Sequence, residues 1–191
     1  MAEFIDLTQI ELETNSPLWQ IIRLDHELTI QITNNTDEDE LHGKVALLPE
    51  IRRNYRMLAE LKFLGHYLKD PNAGWFGLVM RAQDVDNFEL VWFMPNIKHT
   101  ENVAYIPVAH GIVPWWTEAY ATQYKGQVEL PEKDWFLVQL DVIGDEFTLY
   151  IDNEKIMQKR FTYYLKNGRP GFYIGTATNA AFRLVKLEEF D

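Results

Sequence analysis

Along most of this chain, apolar and polar residues alternate with a period of two, in short runs closed by turn residues. That is the pattern of strands with one buried face. In Glu27–Thr33, Leu28, Ile30 and Ile32 share one face. Ile10–Glu13, Trp19–Leu24 and Val45–Leu48 read as shorter strands, the last ended by Pro49. Met57–Leu64 sets Met57, Ala59, Leu61 and Phe63 against Leu58, Glu60, Lys62 and Leu64. Its helix formers would also suit a helix, but the clean alternation among strand neighbours favours a strand.

The densest stretch runs from Gly74 to Trp116. Trp75–Gln83 and Phe88–Met94 form a hairpin across Asp84–Asn87, whose short polar side chains can bond their own backbone. Val103–Ala109 follows, with Pro107 pointing to an edge or bulge. Gly111–Leu130 reads as a loop, and loops of that length in compact domains are often functional. Trp135–Ile143 and Glu146–Asp152 form a second hairpin across Gly144-Asp145. Ile156–Tyr164, Phe172–Thr176 and Ala181–Glu188 are strands, with a turn at Asn167–Gly171. About a dozen short strands without a long amphipathic helix mean an all-β sandwich or barrel. No repeat or linker divides residues 1–191, so one domain is expected.

Several segments carry a family likeness. They are GWFGLVMRAQD (Gly74–Asp84), NFELVWFMP (Asn87–Pro95), VAYIPVAHG (Val103–Gly111), Trp135–Asp152, Gly171–Gly175 and Ala181–Leu187. Together they resemble the concanavalin A-like lectin/glucanase jelly rolls, most of all the bacterial DUF1080 (3-keto-disaccharide hydrolase-like) and LamG-like branch. The resemblance spans about Tyr55 to Asp191, and Met94-Pro95 stands where that branch usually has Arg-Pro. It implies a jelly-roll sandwich of two antiparallel sheets, one curved, whose concave face commonly holds carbohydrate. Fold alone does not establish that function.

Composition narrows the partners. The net charge of −11 disfavours a nucleic acid partner or an anionic membrane surface. With no cysteine, disulfides, thiolate nucleophiles and Cys-ligated zinc are excluded. The N-terminus has neither a basic nor an apolar signal-like region, so a cytoplasmic location is expected for this form. Asn34–Glu40, NNTDEDE, reads as a solvated acidic loop. Calcium is the cofactor such clustered oxygens would suit, although the spacing and glycine of an EF-hand loop are missing. No cofactor or metal site is otherwise expected.

Candidate chemistry centres on the Gly74–Trp116 stretch and the loop after it. Simple alternation puts Phe76, Leu78, Met80 and Ala82 on the core face and turns Arg81 and Gln83 away from it. On a concave sheet Arg81, Gln83, Glu89 and Tyr105 would line a sugar groove, with forked donors and amide groups suited to hydroxyls. The plainer reading is a cross-strand Arg81–Glu89 pair on a wet face. Trp115, Trp116, Glu118 and His110 would supply a lip, since flat aromatic faces stack on sugar rings. For hydrolysis, His110, Glu89 or Glu118 are the acid/base candidates. The paired carboxylates of a laminarinase-type strand are missing, because Gln139 occupies the first position before Asp141. Saccharide binding is therefore the leading expectation. A glycoside-active enzyme and a protein-interaction module, dimeric in one version, are the alternatives.

Overall fold

The computed structural model describes residues 3–4, 10–24, 26–37, 42–70, 73–97, 102–114, 122–123, 128–162 and 166–190. Among these residues there are fifteen strands and no helix. In chain order they are β1 (Glu3–Phe4), β2 (Glu13–Thr14), β3 (Gln20–Leu24), β4 (Glu27–Ile32), β5 (Lys44–Leu47), β6 (Tyr55–His66), β7 (Phe76–Asp84), β8 (Asn87–Phe93), β9 (Val103–Val108), β10 (Thr122–Gln123), β11 (Phe136–Ile143), β12 (Glu146–Ile151), β13 (Glu154–Arg160), β14 (Arg169–Ile174) and β15 (Thr178–Glu189). They form two antiparallel sheets packed as a jelly-roll sandwich. One sheet has the order β13-β12-β11-β6-β15-β4-β3, with β1 on β15; the other has β10-β9-β8-β7-β14-β5-β2.

Alternation decides which side chains fill the sandwich. On β6, Tyr55, Met57, Ala59, Leu61 and Phe63 are buried, while the residues between them are half-buried on the outer face. The strand reading of Met57–Leu64 therefore holds, and the strand is longer than its sequence pattern suggested. Its inner row meets Phe76, Leu78 and Met80 of β7, Val91 and Phe93 of β8, and Phe136 and Val138 of β11. Phe76 lies about 6 Å from Phe63, Phe93, Phe136 and Phe182, so one ring organises this end of the core.

Turn chemistry follows the sequence at two hairpins. Asp84 Oδ1 accepts the backbone N–H of Asp86 at 2.9 Å, which closes the β7–β8 turn. Gly144 takes a φ of 61° at the first central position of the β11–β12 turn, where a type II′ turn needs glycine. The Asn167–Gly171 turn is corrected, because Arg169–Gly171 already belong to β14. Gly168 lies against the backbone of Arg81, where an added Cβ would come within 2.3 Å of the Arg81 carbonyl carbon.

The outer face of the seven-stranded sheet is apolar and closed. Val45, Leu47, Val79, Leu90, Trp92, Ala104, Ile106, Val108 and Tyr173 form a second cluster there. Val113, past the end of β9, packs into the cluster, and its neighbour Ile112 makes an isolated antiparallel bridge with His42.

Candidate functional site

The expected groove residues divide into three groups. Arg81, Glu89 and Tyr105 do come together, but between the sheets, with exposures of 1%, 0% and 1%. The expectation that Arg81 turns away from the core is therefore corrected, and with it the open groove these three residues were to line. The reason is a bulge. Arg81 has a φ of 51°, and the registers of β7 with β8 and of β7 with β14 both shift beside it. An extra residue reverses the alternation, so Ala82 joins the outer cluster and Arg81 swings inward.

Inside, the Arg81 guanidinium stacks over the Phe161 ring at 4.4 Å and donates to the carbonyl oxygens of Gly144 and Arg53. The Tyr105 hydroxyl donates to Glu89 Oε2 at 2.7 Å and accepts the backbone N–H of Thr162 at 2.7 Å. Burial lowers the pKa of Arg81, and the nearby Tyr55 and Glu89 counter that shift. Burial, then the Glu89 charge, pushes the Tyr105 phenol well above its ordinary range. Burial does the same to Tyr55. These groups form a closed polar pin between the sheets, in which Glu89 is satisfied by Tyr105 and Arg81 by two backbone carbonyls, while the Tyr55 hydroxyl is buried with no hydrogen-bond partner among the described residues.

Gln83 and His110 make the second group, and both are exposed. The Gln83 amide donates to the carbonyl oxygens of Asn167 at 2.8 Å and Arg81 at 3.2 Å, so it ties β7 to the loop before β14. His110 and Gly111, with φ of 55° and 74°, form the tight turn after β9, and Asn87 Oδ1 accepts the His110 backbone N–H at 3.2 Å. The third group, Trp115, Trp116 and Glu118, lies outside the described residues. In the acidic loop, Asn35 is buried and donates to the carbonyl oxygens of Gly175 and Thr178 at 2.9 and 3.2 Å. Asp37 pairs with Lys44. Among the described residues, no three His, Asp or Glu side chains gather as metal ligands.

An open cleft lies at the opposite end of β6. It measures about 540 Å³ and is lined by Lys62, Phe63, Leu64, Gly65, His66, Asn96, Glu132 and Lys133. Gly65 forms it, with a φ of 111° and a register shift against β15 between Asn179 and Ala180. The bulge turns His66 out of the outward row Lys62, Leu64 and towards Phe63, with the two rings 6.1 Å apart. His66 Nδ1 accepts the Leu68 backbone N–H at 3.1 Å, which leaves Nε2 as the donor of the neutral ring. Gly74, at φ 100°, keeps the back wall thin: a Cβ there would meet Phe63 at 3.1 Å and His66 at 3.2 Å. Sequence reasoning missed this cleft. Its one signal was the glycine at the end of the β6 alternation.

The fold has many solved counterparts. A carbohydrate-binding module, CBM66, from Bacillus subtilis superposes with a TM-score of 0.67 at 14% identity, covering 93% of this chain and 95% of that one. This chain shares its jelly-roll fold. A B. subtilis protein described as having a galectin-like fold gives 0.65 at 12% identity, covering 96% and 90% of the two chains. The kappa-carrageenase of Pseudoalteromonas carrageenovora, in complex with an oligotetrasaccharide, gives 0.59 at 12% identity, covering 97% and 91%. At these identities the likeness is one of fold. No family model matches the sequence, and no curated protein matches it.

Proposed function

We propose that this chain is a carbohydrate-binding jelly roll whose ligand sits in the cleft at the end of β6. The lining of that cleft carries the reading. Phe63 and Leu64 offer an apolar floor, and Lys62, His66, Asn96, Glu132 and Lys133 bring donors and acceptors around it. A sugar ring needs that combination, a C–H face against carbon and hydroxyls against polar groups. The volume of about 540 Å³ falls in the range of small-molecule sites. Fold counterparts described as a carbohydrate-binding module and as a carrageenase holding an oligosaccharide add support.

Binding is favoured over hydrolysis of the 3-keto-disaccharide hydrolase-like kind. Glu89, a candidate acid/base, is fully buried and bonded to Tyr105. The test is calorimetric titration with a panel of oligosaccharides, repeated on His66→Ala and Asn96→Ala. A saccharide that binds the wild type and loses about tenfold or more in each variant supports the reading. Unchanged affinity in both variants, with loss in His110→Ala or Trp115→Ala, moves the site to the β9 turn and the loop after it.

A further inference from the structure

We infer that the saccharide this cleft takes is an acidic one, whose carboxylate or sulfate group is held by Lys62 and Lys133. The inference rests on the cleft being a saccharide site and adds the ligand's charge. The chain carries 29 acidic and 18 basic side chains, so a cleft edged by two lysines runs against its overall sign. Two arginines on the outer face of the same sheet are neutralised. Arg56 grips Asp141 with two bonds of 2.7 and 2.8 Å, and Arg183 binds Glu60 at 2.7 Å. Among the described residues, neither Lys62 nor Lys133 has a carboxylate partner.

Lys62 is also held in place. Its ammonium sits 5.7 Å from the Trp135 ring centroid, and the Arg183 guanidinium lies 4.1 Å from the same ring. A cation kept on an aromatic ring loses less freedom when it meets an anion. Among the described residues Glu132 is the one carboxylate of the lining, so there the two lysines leave an excess of positive charge. His66 Nε2 adds an N–H donor, suited to the remaining oxygens of an acid group or to a hydroxyl.

The experiment uses the full chain and matched pairs of oligosaccharides that differ only in bearing a uronic carboxylate, a sulfate ester or neither. Titrations are run in about 0.1 M and about 1 M salt, which shortens the screening length from about 10 Å to about 3 Å. Acidic members are expected to bind at least about tenfold tighter than their neutral partners. Lys62→Gln and Lys133→Gln should each cost about tenfold, and high salt should remove most of the preference. Equal binding of neutral and acidic members, unmoved by the lysine variants, overturns this inference and leaves the carbohydrate reading standing. No binding by either kind overturns both. Inorganic sulfate that binds as tightly as the sulfated oligosaccharide also overturns it, since the cleft would then read an anion and not a sugar.

Discussion

Replacing Arg81 with methionine tests the closed polar pin. Methionine keeps most of the length and the apolar stem but removes the charge. Three contributions go with it: the stack on Phe161 at 4.4 Å, the donation to the Gly144 and Arg53 carbonyls, and the countercharge to fully buried Glu89. The stack is worth about 0.5–2 kcal/mol. Stranding one member of a buried charged pair costs about 3–5 kcal/mol in all. For a chain of this size each kcal/mol moves the melting temperature by about 2–4 °C, so a fall of roughly 6–20 °C is expected. Urea unfolding gives the free energy and calorimetry the temperature. Arg81→Met combined with Glu89→Gln should lose less than the sum of the two single variants, because the stranded charge is gone. A loss below about 1 kcal/mol, the range of an exposed ion pair, would refute the account and return Arg81 to a solvated face.

Three further outcomes follow from the same geometry. Tyr55 and Tyr105 keep their protons in the folded state, while the phenols of the unfolded chain ionise near pH 10. The unfolded state then holds fewer protons, so the stability these two groups contribute is intact below about pH 10 and is lost above it, by up to about 1.4 kcal/mol per pH unit for each. Urea midpoints measured from pH 9 upward should fall accordingly, and Tyr105→Phe should flatten the slope. Gly168→Ala should destabilise by about 1–3 kcal/mol in chemical unfolding, because its Cβ would strike the Arg81 backbone. Gly65→Ala meets no atom within 4 Å, so its cost of about 1 kcal/mol or more should come from φ 111° alone and should be accompanied by weaker saccharide binding as His66 shifts.

Much of the architecture could be read from the chain because alternation encodes it directly. The inner row of β6, the hairpins at Asp84–Asn87 and Gly144-Asp145, and the core face Phe76, Leu78 and Met80 all follow from period two. Arg81 escaped that reading because one bulge residue inverts the phase of everything after it. The bulge depends on the close approach of Gly168, a residue 87 positions away by subtraction of the two residue numbers. The apolar rows Phe88–Leu90–Trp92 and Ala104–Ile106–Val108 were visible as hydrophobic, but their facing a second, covered cluster was not. The cleft was hidden for a different reason. Its lining comes from the end of β6, from Asn96 after β8 and from Glu132 and Lys133 before β11, and only the sandwich brings them together.

The location of the saccharide is the central claim, and one comparison tests it most directly. The dissociation constant of a bound oligosaccharide is measured by calorimetry for wild type, His66→Ala and His110→Ala, side by side and with folding verified. The cleft account predicts a loss of about tenfold or more for His66→Ala and no change for His110→Ala. The opposite pattern, full affinity without His66 and lost affinity without His110, would contradict it.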